Sequence, residues 1–321
     1  MKASIEKTLK TVLPIGLGVF LIWYSYYSTS KEDRQQILHY IKNADLLWVG
    51  LSVFLGILTH LSRAIRWNYL LEPLGYRPRI FNNILIILTA YFANLGIPRS
   101  GEILRATALA SYEGVPFQKG FGTIVTERVI DLIMLLLVIV IALILQTDII
   151  WGFLQEKGFS LALLSVVLTS GILGLVLLLY FVKKSKISLA VKLKHFLKGL
   201  LEGILSIFKM RYKWRFIFHT IFIWAAYIAM FWVIKYTVAD TSELGLSQLI
   251  VAFVAGAFAM SATNGGIGIY PIAVSGALAI FGVNKVSADA FGWIMWISQT
   301  LMVVVFGAIS FLVLPLWNRN K

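Results

Sequence analysis

Between Phe159 and Val182 the sequence contains no charged residue. A helix of roughly 20 apolar residues spans the hydrocarbon core of a bilayer, so this run prefers lipid to water. It is one of several. The stretches Leu9 to Ser28, Leu46 to Ser62, Phe121 to Gln146, Phe216 to Val238 and Ala288 to Leu314 read the same way. Of the 321 residues 59% are hydrophobic and 14% charged, and the mean hydropathy is +0.83. A soluble core cannot absorb that much apolar surface. The expected fold class is an all-α polytopic membrane protein with about six full transmembrane helices in a single membrane domain over 1–321.

Two further apolar stretches are interrupted. The run Ile84 to Ala93 stops in Asn94-Leu95-Gly96-Ile97-Pro98-Arg99-Ser100-Gly101-Glu102-Ile103-Leu104-Arg105. The pieces Ser247 to Ala262 and Ile267 to Phe281 are separated by Thr263, Asn264, Gly265 and Gly266, and each is too short for an ordinary span. Broken backbone at membrane depth survives only where protein or a water-filled cavity satisfies its polar groups. Both stretches therefore read as re-entrant or broken hairpins. They also resemble each other: Ile84–Gly101 lies over Leu249–Gly266, and Phe121–Leu137 over Phe291–Gly307. That points to an inverted-topology repeat, with units at 46–146 and 214–316. Between them, 183–215 is basic and carries Leu193, Phe196, Leu197, Leu200 and Leu201 at helical spacing, which predicts an amphipathic cytoplasmic linker helix at the interface.

The net charge is +14. In this setting basic loops set topology and meet anionic lipid; a nucleic-acid partner is not expected. With both termini in the cytoplasm, only Lys31, Arg34, Lys42, Lys157, Lys235 and Lys285 fall outside, and Arg128 falls within a span. This matches the positive-inside rule and a multi-pass location in the cytoplasmic (inner) membrane. Lys2, Lys7 and Lys10 precede the first span with no small-residue cleavage site after it, so that span reads as an uncleaved anchor. There is no cysteine, which excludes disulfides and thiol chemistry.

Two sets of residues stand out as candidate sites. Arg63, Arg66, Arg99 and Arg105 gather guanidinium groups near the first hairpin, and their planar forks suit a lipid phosphate. Asn94 and the second tip, Asn264, Gly265 and Gly266, offer backbone and amide groups to the same headgroup. Glu102, Glu127, Arg128 and Asp131 form the second set; ionisable groups in a span are costly and point to function, or to a structural ion cluster. Histidines 39, 60, 195 and 219 lack metal-ligand spacing, and no nucleophile elbow or ATP-binding loop is present. No metal, cofactor or catalytic set is expected.

The pattern Asn94-x3-Pro98-x2-Gly101-Glu102-x2-Arg105, then Glu127-Arg128-x2-Asp131, then Gly265-Gly266-x-Gly268, preceded by Arg63-x2-Arg66-Trp67, resembles the lysylphosphatidylglycerol synthase transmembrane family, flippase-like proteins of the UPF0104 type. The second tip departs from that family's frequent proline before the glycines and acid after them; here Thr263-Asn264 and Tyr270-Pro271 stand instead. The resemblance implies a lipid translocase, a stand-alone relative of domains that move aminoacylated phosphatidylglycerol, with no aminoacyl transfer of its own. Its expected partners are a membrane phospholipid and a separate lipid-modifying enzyme. Two alternatives stay open. One is a membrane-embedded enzyme acting on lipid headgroups with Glu102 or Asp131 as general base; the other is a non-transporting scaffold for a lipid synthase.

Overall fold

The computed structural model describes residues 16–97, 99–149, 152, 169, 170, 173, 174 and 210–319. The expected span at 159–182 and most of the linker helix at 183–215 lie outside them. The described residues form helices and connecting turns, with no strand. Helix α1 covers 16–28. It is followed by α2 (Lys31–Lys42), α3 (Leu46–Leu71), α4 (Ile80–Gly96), α5 (Ser100–Glu113) and α6 (Phe117–Leu145). After the undescribed stretch come α7 (Lys213–Ile234), α8 (Leu246–Ala262), α9 (Ile269–Ala279) and α10 (Lys285–Trp317). Four segments are long and apolar enough to cross a membrane: Leu46–Leu74, Phe117–Leu145, Lys213–Thr237 and Lys285–Trp317. The protein is an all-α, multi-pass membrane protein.

The chain divides into two compact units, Met1–Glu127 with Trp214–Lys321, and Arg128–Lys213. In the first unit, α4 packs against α3, α5 and α10, while α9 packs against α8 and α10. Close approach is made possible by small residues, as is usual in membranes. A side chain on Gly307 of α10 would lie 2.5 Å from Phe92 Cβ and 2.9 Å from the Leu88 carbonyl of α4. A side chain on Gly292 would meet the Pro271 backbone of α9 at 2.9 Å. The lower ends are tied by polar groups: Arg79 Nε donates to Glu113 at 2.8 Å, and Asn318 Nδ2 donates to Asn82 at 3.1 Å. In the second unit, Leu136, Leu137, Val140 and Ile144 of α6 are exposed, as a lipid-bathed surface requires.

Sequence punctuation sets the helix ends. Ser30 caps α2 through Oγ to the Asp33 amide at 3.0 Å, with Glu32 and Asp33 in the first turn. Asp45 and Asn284 cap α3 and α10 in the same way, at 2.8 and 2.9 Å. The charged segment at Lys31–Arg34, expected as a loop, is thus the start of a capped helix. The second span, expected to end at Ser62, continues to Leu71 because Arg63, Arg66 and Trp67 are all buried and partnered inside the protein. Lys235, counted among the outer basic residues, is buried. Its Nζ donates to the Leu244 carbonyl at 2.8 Å and lies 3.9 Å from the Trp232 ring centroid and 4.9 Å from that of Tyr236. A carbonyl and two aromatic faces replace part of the water an ammonium loses on burial.

Both expected breaks are present. Ile97 is extended at φ −124°, as a residue before proline prefers, and Arg99 adopts φ 58°. A left-handed arginine costs about 1–3 kcal/mol and needs support from its surroundings. Asn94 supplies some: its Oδ1 accepts from the Gly101 amide at 2.7 Å, satisfying one orphan donor at the start of α5. In the second break Gly265, Gly266 and Gly268 take φ values of 60°, 74° and 75°. The two tips touch. A Cβ on Gly265 would lie 2.7 Å from Leu95 Cδ2.

Candidate functional site

Four of the singled-out residues come together at one carboxylate. Glu127, in α6, accepts from Arg63 Nη1 at 2.7 Å and from both terminal nitrogens of Arg105 at 3.2 and 3.0 Å. Arg66 Nη2 lies 3.6 Å from the same oxygen that Arg63 holds. The side chains of all four are 0–4% exposed. Helical spacing explains why α3 delivers two of the arginines: positions three apart share a face. The hinge at Pro98–Arg99 starts α5 so that Arg105 arrives from another direction. The Arg105 pair is bidentate, the strongest form of such a contact.

The surrounding side chains hold the forks in place. Arg105 stacks on the Trp67 ring at 4.2 Å, and the Trp67 Nε1 donates to Thr123 at 2.9 Å. Arg63 Nη2 donates to the Tyr227 hydroxyl at 3.1 Å, and Arg66 Nη1 to Thr220 at 3.3 Å. Arg105 Nε is buried and has no acceptor. Three guanidinium groups face the Glu127 carboxylate. Glu102 is half-buried one turn before Arg105 on α5. Guanidinium forks gathered in this way are chemically suited to an anion, because each can donate two bonds at once.

Arg99 is exposed on the first tip, and Asn94 is engaged as the α5 cap. Asn264 is buried with an unpartnered Nδ2; Gly265 accepts from Trp296 Nε1 at 2.8 Å, and Gly266 is buried. Gly265 abuts Leu95, and Gly266 abuts Met260 and Tyr270. In the second unit, Arg128 lies 3.9 Å from Asp131, one turn along α6. Among the described residues no group of three His, Asp or Glu side chains converges as a metal site would. Residues that sequence reading passed over are Thr220 and Tyr227, which hold two of the forks, Thr123, which holds Trp67, and Ser62, whose Oγ lies 2.7 Å from His219 Nδ1. Their signal was a polar residue inside an apolar run, weak in each case taken singly.

Comparisons with known proteins identify the family. A UPF0104 membrane protein of Methanocaldococcus jannaschii is 31% identical over 134 residues, 41% of this chain and 38% of that protein. The glycosyltransferase AglD of Haloferax volcanii is 27% identical over 126 residues, 39% of this chain and 19% of that protein. A UPF0104 membrane protein of Methanothermobacter thermautotrophicus is 26% identical over 135 residues, 41% of this chain and 37% of that protein. The matched stretch thus covers well under two thirds of each relative. No solved structure matches. The pattern of the family described as lysylphosphatidylglycerol synthase TM region matches residues 11–307, nearly the whole sequence, and the chain belongs to that family.

Proposed function

We propose that the protein moves a phospholipid or lipid-linked headgroup across the cytoplasmic membrane, with the lipid phosphate held by Arg63, Arg66 and Arg105. One observation carries this reading: a buried cluster of three guanidinium groups around the Glu127 carboxylate. Guanidinium forks gathered at such a place suit an anion, and a phosphate ester is the anion that lipids bring. Family membership supports a lipid-related role, as does the name of the Haloferax relative, a glycosyltransferase. Glu127 orders the forks and limits their charge. The long-helix, two-short-helices, long-helix order of α3 to α6 recurs in α7 to α10, which supports the inverted repeat, with both termini in the cytoplasm and the two tips as the meeting point of its halves. The basic linker meets anionic lipid, and a separate lipid-modifying enzyme supplies or uses the headgroup.

The test is lipid retention. Wild type purified in mild detergent should carry phospholipid, identified by mass spectrometry after washing. Arg105→Lys keeps the charge but loses the two-pronged fork, and retention should fall by about tenfold, as when a bidentate pair becomes a point contact. Equal retention by the two proteins overturns the phosphate assignment.

A second reading rests on Ser62 and His219. A hydroxyl 2.7 Å from an imidazole nitrogen is the geometry of a nucleophile and its base, which fits an enzyme acting on lipid headgroups. Product formation by the protein in detergent, abolished by Ser62→Ala, favours this reading, because chemistry does not need two membrane sides.

A further inference from the structure

Along α3 the buried face is polar over most of its length. Arg66 and Arg63 belong to the cluster. One turn further toward the helix start, His60 is buried, its ring set edge-on to Tyr91 of α4 at 4.7 Å between centroids, and its Nδ1 has no partner. One turn beyond, Gly56 leaves room for Gln299 of α10, whose Oε1 would lie 2.5 Å from a Cβ there. The same Gln299 donates through Nε2 to Ser52 at 3.1 Å. From Ser52 to Arg66 the helix rises about 21 Å, roughly two thirds of a bilayer's hydrocarbon core. Polar side chains at this depth are costly and rare, and they mark pathways more often than packing. An unpartnered buried imidazole nitrogen next to an arginine cluster is costly unless something bonds it part of the time.

We propose that this face of α3 is the headgroup path, with His60 handing the polar headgroup between the arginine cluster and the Gln299–Ser52 pair. The inference rests on the translocation reading and deepens it. It assigns the substrate class as a phospholipid whose headgroup carries hydrogen-bonding substituents beyond the phosphate. The phosphate stays within reach of Arg63 while the substituent exchanges its bonds stepwise, one helical turn at a time. Gly56 lets the Gln299 amide lie close against α3, and Tyr91 forms one wall beside His60.

The experiment measures two quantities on the full chain: the rate of movement of labelled phosphatidylglycerol in proteoliposomes, and phospholipid retained after purification. His60→Ala and Gln299→Ala should each slow movement by about tenfold, the effect of one hydrogen bond lost at a polar step in apolar surroundings. Retention should stay at the wild-type level, because the arginine cluster is intact. His60→Asn, which restores a donor and an acceptor, should recover most of the rate. Unchanged rates, rate and retention falling in step, or no recovery with asparagine would each overturn the path. A wild type that moves no phospholipid would overturn the translocation reading itself, and the path with it.

Discussion

Replacing Glu127 by glutamine is the sharpest perturbation of the cluster. The carboxylate holds three guanidinium groups at 2.7 to 3.6 Å, with no more than 4% of any side chain exposed. Glu127→Gln keeps the shape and removes the only countercharge that contacts all three. Breaking a buried pair in this way costs about 3–5 kcal/mol, because the remaining charges are left buried and unbalanced. That is a large share of the roughly 5–15 kcal/mol that holds a domain folded. At roughly 2 °C per kcal/mol, the unfolding midpoint in detergent should fall by about 6–10 °C. Asp289→Asn is the control: its partner Lys285 is 73% exposed, so the loss should stay below about 1 kcal/mol. Adding Arg105→Gln to Glu127→Gln removes one unbalanced charge and should restore part of the loss, a coupling that a double-mutant cycle reads directly. A midpoint for Glu127→Gln within about 2 °C of wild type would refute the view that this carboxylate neutralises the forks.

The two hinges yield further expectations. Asn94→Ala removes the acceptor for the Gly101 amide and should cost about 1 kcal/mol, as helix caps do, read as a lower unfolding midpoint. Gly265→Ala should cost more, because the residue sits at φ 60° and its Cβ would meet Leu95 at 2.7 Å. Combining it with Leu95→Ala should relieve the collision but not the backbone strain, so only part of the stability should return.

Much of this architecture was legible from residue order. Apolar length announced the four membrane helices of the described residues, and glycine, with proline in the first break, announced both hinges: Gly96 and Ala262 end the arms, and Ser100 and Ile269 restart them. Ionisable residues in apolar context marked out Arg63, Arg66, Arg105 and Glu127, but in two separate sets; their meeting at one carboxylate was not legible. Arg99 and Arg105 looked equivalent on either side of Gly101-Glu102, yet the hinge leaves Arg99 exposed at the tip and turns Arg105 inward. Arg63 and Arg66 follow the expected end of the span at Ser62; burial against Glu127, 64 and 61 positions later, lets the helix continue. Long-range partners carry no local signature. His60 and Gln299 were invisible for the same reason, since each is a lone polar residue until α3, α4 and α10 are packed together.

The central claim is that the arginine cluster carries a lipid phosphate across the membrane. The most direct measurement compares, in proteoliposomes, the movement of headgroup-labelled phosphatidylglycerol with that of a labelled glycolipid lacking phosphate, for wild type and Arg105→Lys. The account predicts accelerated movement of the phospholipid alone, slowed in the variant that retains the charge but loses the fork. Equal movement of both lipids, or a variant as fast as wild type, would contradict it.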